Sequence, residues 1–151
     1  MRRERWDALG PDALAIGTDD LARRLAATRR PIKAALLDQS LVAGLGNIYV
    51  DEALFAAGIH PRSVASAIPR DRVRRLAGVI RPLLRRAIAA GGTTLRDYVD
   101  ADGRGGEAGT MLWAYGRGGE PCGRCHDPLE AFPLAQRTTV ACGRCQRLFS
   151  V

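Results

Sequence analysis

The chain has 151 residues, 46% of them hydrophobic, enough to bury the core of one compact domain or two small ones and to exclude a disordered tail. It carries 23 basic residues against 16 acidic, for a formal net charge of +7, and Lys33 is the only lysine. Arginine presents a flat fork of N–H donors that fits phosphate oxygens, so the bias suits an anionic partner, although a GC-rich genome that exchanges lysine for arginine yields the same composition.

The excess charge is unevenly placed. Residues 1–60 hold 8 basic and 8 acidic side chains, whereas residues 61–100 hold 9 against 3. No run of about 18 apolar residues could span a bilayer, and the start "MRRERWDALG" lacks the apolar stretch of a signal peptide. The expectation is a cytoplasmic protein without a membrane association. In a reducing cytoplasm four cysteines are not expected to form structural disulfides.

In chain order, "LGPDAL" (9–14) has the Gly-Pro punctuation of a linker or turn, and Thr18 followed by Asp19 and Asp20 marks a helix start. The Thr18 hydroxyl is expected to cap free N–H groups while the acids face the positive helix end. That helix runs to about Ala27. Pro31 opens the next at its first position, with Ile32, Leu36, Leu37 and Leu41 on one core-facing side. "VAGLGNIYVDEA" (42–53) interrupts the pattern with Gly44, Gly46 and Asn47, and "IYVDEALFAAG" resumes it as a helix ending at Gly58. From Val73 to Ile88 apolar residues fill one half of a helical wheel and arginines the other, with Pro82 expected to bend the helix or cost it a hydrogen bond. Such an arginine face is solvated or binds an anion. Gly91 and Gly92 end the helix. The glycine-rich stretch through Gly119 reads as a loop, and the last 30 residues as a β-hairpin.

Two motifs bear on chemistry. "CGRC" occurs twice, as Cys122/Cys125 and Cys142/Cys145, separated by 16 residues. Each CxxC turn can aim two thiolates at one ion, and four thiolates form the closed tetrahedral set of one structural Zn2+, with no position left for a catalytic water. Redox pairs or free buried thiols are the alternatives. Between the pairs, Gln136, Arg137 and Thr138 are expected at the hairpin tip, where an arginine fork meets a phosphate or simply solvent. The second motif is the glycine turn. A helix start offers N–H groups without intrahelical partners, so Gly44, Gly46 and Asn47 suit a phosphate, while the same glycines serve any tight helix–helix turn.

Taken together, "PIKAALLDQSLVAGLGNIYVDEALFAAGIHPRS", "GGTTLRDYVDADG" and "YGRGGEPCGRC…AQRTTVACGRCQ" resemble the C-terminal half of the formamidopyrimidine-DNA glycosylase and endonuclease VIII family, in order from about Leu9 to Gln146. The resemblance implies a mainly α fold, a helix-two-turn-helix domain followed by a small zinc-bound β-hairpin. The implied division is an N-terminal extension or linker (1–17), a helix-two-turn-helix DNA-binding domain (18–92), a glycine-rich lesion-type loop (93–119) and a four-cysteine zinc finger (120–151). The two-turn element itself would be residues 32–58. Asn47 and Arg137 match the residues that grip phosphates beside a damaged nucleotide, and Arg96 to Thr110 match the loop that covers an everted 8-oxoguanine. The implied partner is damaged double-stranded DNA.

Members of that family begin, after loss of methionine, with a proline nucleophile and a glutamate on an N-terminal β-sandwich, whereas this sequence starts Met1-Arg2-Arg3-Glu4. Their lesion loop often carries aromatic residues where this one reads "GRGGEAGTM". Glycosylase/lyase chemistry needs an unprotonated amine near the sugar. Lys33, expected to be a solvated cation, and the N-terminal amine are the candidates, and no catalytic residue is assigned. Three readings follow: the DNA-binding half of a base-excision glycosylase, without the catalytic sandwich; an active glycosylase/AP lyase using another amine or a separately encoded N-terminal sandwich; and a non-enzymatic RNA- or ribosome-binding module.

Overall fold

The structure is a computed structural model and describes residues 9–90 and 112–151; the chain start at Met1 and the loop expected from Arg96 to Thr110 lie outside the described residues. Among the described residues four helices, α1 (Thr18–Ala26), α2 (Ile32–Leu37), α3 (Asn47–Ala57) and α4 (Arg70–Ala89), precede an antiparallel hairpin of β1 (Glu130–Leu134) and β2 (Arg137–Ala141). A single 3-10 turn, Ala65–Ala67, leads into α4. The fold is mainly helical with one small hairpin, as expected.

Helix α1 starts one residue earlier than the capping argument placed it. Gly17 holds the N-cap position in extended conformation, and Thr18 lies inside the helix without a capping hydrogen bond. The expected acids do occupy the first turn, where Asp20 accepts from Arg24 Nε at 3.0 Å and also pairs with Arg23.

Helix α2 ends at Leu37 and does not reach Leu41. Asp38 takes an extended conformation, and its Oδ1 accepts from the Ser40 backbone N–H (2.9 Å) and hydroxyl (2.6 Å). A local side-chain turn of this kind competes with helix propagation. Leu41 still reaches the core, carried there by the turn.

Helix α3 ends as expected at Gly58, whose φ of 72° is the left-handed C-cap conformation. Helix α4 runs unbroken through Pro82, burying Val73, Leu76, Ile80 and Leu84 at three- and four-residue spacing. The proline costs a donor without ending the helix. No helix of the described residues is long and apolar enough to cross a membrane.

Two apolar clusters meet at α3. Val50, Ala53, Leu54 and Ala57 join Ile32, Leu36, Leu76 and Ile80 in the larger one. Phe55 turns instead to Ala114, Leu129, Val140, Cys122 and Cys142 around the hairpin. Each fully buried Leu or Ile contributes roughly 1.5–3 kcal/mol, which makes α3 the common wall of both clusters. The C-terminal chain seals the joint, since Arg147 N–H donates to Gly58 O (2.9 Å), His60 N–H to Arg147 O (2.8 Å) and Val64 N–H to Phe149 O (2.8 Å).

Candidate nucleic-acid interface

The two turns between α2 and α3 are shaped by three side chains. Asp38 closes the first turn, and its Oδ2 accepts from Arg30 at 2.9 Å. The Ser40 hydroxyl and N–H, and to a smaller degree Arg30, hold the Asp38 carboxyl below its ordinary value against the opposing effect of burial. The Gln39 amide spans the loop, donating to Leu37 O and Leu45 O (both 3.1 Å) and accepting from Gly44 N–H (2.9 Å). Gly44 has φ of 104°, which only glycine adopts without strain. Its N–H is therefore engaged by Gln39, so this glycine shapes the loop and does not present a free donor. Gly46 is extended (φ −107°, ψ −178°) and open to solvent. The N–H groups of Gly46, Asn47 and Ile48 have no acceptor among the described residues, the ordinary state of a helix start and the basis of its anion affinity.

The hairpin comes directly against this helix start. Ala135 and Gln136, with φ of 54° and 60°, form its two-residue turn, so Arg137 is the first residue of β2, paired with Leu134, and lies just inside the tip. The Thr138 carbonyl accepts from Asn47 Nδ2 at 3.2 Å and from Lys33 Nζ at 3.3 Å. Asn47 is thus joined to Thr138, the residue that follows Arg137 on β2 and lies 91 positions from Asn47 in sequence. Asn47 Oδ1 is buried without a hydrogen-bond partner. Arg137 is exposed and free of ion pairs among the described residues.

Lys33 corrects the sequence reading. It is wholly buried, and its amine donates to Asp51 Oδ1 (2.8 Å) and Thr139 Oγ1 (2.7 Å) as well as to Thr138 O. Asp51 Oδ2 in turn accepts from Val140 N–H at 3.2 Å. Burial pulls the Lys33 amine down and pushes the Asp51 carboxyl up, and each partner's charge opposes the other's shift. The only lysine of the chain fastens the hairpin to α2 and α3, so its amine has no route to a DNA sugar. The legible signal was its rarity among arginines, together with two adjacent acids in the otherwise apolar "IYVDEALFAA".

The second of those acids, Glu52, was also missed. Its carboxylate accepts from Trp113, Ala114 and Tyr115 N–H, each at 2.7 Å, and so holds the turn that leads toward the first CxxC motif. Burial raises its carboxyl, and the three amides act against that rise. Arg124 lies 4.6 Å over the Phe55 ring and donates to Phe55 O at 3.2 Å.

The four cysteines converge as their spacing predicts. Cys122, Cys125, Cys142 and Cys145 bring their sulfurs within 4.8 Å of one another, with Sγ–Sγ separations of 3.8 Å for Cys122–Cys145 and 3.5 Å for Cys125–Cys142. A tetrahedral zinc–thiolate set with bonds of about 2.3 Å has edges of about 3.8 Å, so the residues present fit such an ion. Gln146 braces the second turn, accepting from Cys142 N–H (2.7 Å) and donating to Ile59 O (3.0 Å).

Comparison with known proteins agrees with this geometry. Residues 9–99 match the family model described as the formamidopyrimidine-DNA glycosylase H2TH domain. The chain is 46% identical over 140 residues to the formamidopyrimidine-DNA glycosylase of Shewanella loihica and 50% identical to that of Desulfitobacterium hafniense, covering 91% of this chain in both cases. It spans about half the length of these curated relatives, 52% and 51% respectively. Among solved structures it superposes on the MutM (Fpg) protein of Thermus thermophilus with a TM-score of 0.80 at 42% identity, covering 91% of this chain and 53% of that one. It also superposes on the Lactococcus lactis Fpg in complex with an abasic site containing DNA, with a TM-score of 0.83 at 34% identity, covering 97% and 54%. The family model accounts for more than half of the chain, which therefore belongs to the formamidopyrimidine-DNA glycosylase family and carries its helix-two-turn-helix domain.

Proposed function

We propose that this chain grips damaged duplex DNA in base-excision repair, with the α3 start and the hairpin tip as one phosphate clamp. The observation that supports the reading is the Asn47 amide reaching the Thr138 carbonyl at 3.2 Å, one residue beyond the exposed Arg137 on β2. The free N–H groups of Gly46, Asn47 and Ile48 would bind one phosphate along the helix axis, and Arg137 would fork onto it or its neighbour. Gly46 lets the backbone come close, while Gly44 sets the turn. Within the proposed division, residues 18–92 supply the first half of the clamp and residues 120–151 the second. Relatives that appear in complex with lesion-containing DNA support duplex DNA as the partner.

We assign the four cysteines to one Zn2+, which when bound would cross-link both turns of the finger and supply no chemistry of its own. The role of this chain's residues is to hold the backbone of β2 in place around that ion. Base removal, the activity in the relatives' names, and the strand cleavage that the family resemblance implies are proposed only for this unit joined to a β-sandwich that carries the Pro-Glu start, within one chain or by association. Anisotropy with an abasic-site duplex tests the clamp: Asn47→Ala and Arg137→Ala should each weaken binding about tenfold, and unchanged affinity in both would sink it.

A further inference from the structure

Helix α4 carries seven arginines against a single acid, Asp71, and so nearly the whole net charge of the protein. The fold uses three of the seven. Arg70 pairs with Asp19, Arg72 donates to Gly58 O (3.1 Å), and Arg81 donates to Leu14 O (2.8 Å). Arg74, Arg75, Arg85 and Arg86 are exposed and have no partner among the described residues.

Those four form two pairs eleven residues apart. Eleven residues make just over three helical turns, which brings the pairs to the same side of α4 at a separation of about 16 Å. A major groove is about 12 Å wide, so the pairs can straddle it and meet phosphates of both strands. Between them the helix is low. Exposed Gly78 and Pro82 occupy the middle of this face, and both residue types are unfavourable inside a helix. Among the described residues a Cβ at position 78 meets nothing within 4 Å, so packing against them does not require the glycine. A surface that approaches from outside does account for it.

This face is also apart from the clamp. Helix α3 shows Asn47 and Asp51 to the hairpin and Val50 and Leu54 to the core that Leu76 and Ile80 close. The four arginines are exposed on α4, and Gly78, Pro82 and Arg86 also edge an open cleft of about 360 Å³ shared with Phe55 and Trp113, which contains neither Asn47 nor Arg137. We propose that the outer face of α4 docks a second segment of duplex DNA, so that one molecule bridges two duplexes. The proposal rests on the reading of Asn47 and Arg137 only for the first duplex.

The test uses the full chain, a bead-bound duplex with an abasic-site analogue and a free fluorescent undamaged duplex, at about 50 mM salt. The wild type should retain the free duplex on the beads. Arg74→Gln/Arg75→Gln/Arg85→Gln/Arg86→Gln should lower retention at least tenfold, while its affinity for the bead duplex stays within threefold. The matching quadruple lysine variant should keep most of the retention. Gly78→Glu, which leaves every arginine in place, should lower it about fivefold. Absence of retention by the wild type, equal retention by the glutamine variant, or a loss shared by the lysine variant overturns the proposal, as does displacement of the second duplex by an RNA helix at a tenth of its concentration. The two readings fail separately. Full affinity of Asn47→Ala/Arg137→Ala with retention that still depends on the α4 arginines removes the clamp and keeps the second surface.

Discussion

The amine of Lys33 and the carboxylate of Asp51 lie 2.8 Å apart with neither side chain exposed, and together they fasten Thr138, Thr139 and Val140 of the hairpin to the helical domain. A buried ion pair is weak evidence of net stability, because desolvation of both charges offsets their attraction. Its value here is placement. Three donors and both carboxylate oxygens are satisfied only in one seating of the hairpin, the seating that brings the Thr138 carbonyl to the Asn47 amide.

Breaking that pair from one side leaves an unpaired buried charge. Lys33→Met should cost about 3–5 kcal/mol in urea denaturation, whereas Lys33→Met/Asp51→Leu should recover most of the loss. A double variant no more stable than the single one would show that the hairpin is seated by other contacts.

The two glycines of the turn should behave differently. Gly44→Ala, at φ of 104°, should lower stability by about 1–2 kcal/mol. Gly46→Ala meets nothing within 4 Å in an ordinary extended conformation and should leave thermal melting unchanged. If Gly46 admits a phosphate, its alanine variant weakens DNA binding all the same, which separates folding from function in two glycines of one turn.

Salt dependence reports the phosphate contact of Arg137. Each neutralised phosphate contributes about 0.9 to the slope of log affinity against log salt, so Arg137→Ala should flatten that slope by about 0.9. A variant that binds more weakly at an unchanged slope would place Arg137 outside the charged contacts.

Asp38 makes stability depend on acid. Its folded carboxyl titrates below its ordinary value, so its contribution is present above the unfolded value and is lost as pH falls through the folded one. Asp38→Ala should cost about 1 kcal/mol near neutrality. The difference from wild type should vanish in denaturation series carried well below pH 3.8.

Metal removal should act on the finger first. Chelation, or Cys142→Ser, should release one Zn2+ per chain and weaken DNA binding, since the hairpin backbone depends on both CxxC turns. Far-ultraviolet helical signal should persist, because Ile32, Leu54 and Leu76 belong to a cluster that contains no cysteine.

Periodicity and spacing alone determined much of this protein. Helix α3 with its Gly58 stop, the buried stripe of α4 and the gathering of four cysteines follow from local rules, in which neighbours in sequence are neighbours in space. The Thr18 cap and the reach of α2 to Leu41 were local readings too, and they failed where a glycine or an aspartate turn competed for the same backbone. Tertiary structure decided the rest. Lys33 reads as a surface cation until Asp51 and Thr139 surround it, and Glu52 reads as a helix-face acid until three amides of a distant segment converge on it. Such roles depend on partners that lie 18 to 106 residues away. Burial of a charge is a property of the assembled site, and no spacing within a single helix encodes it.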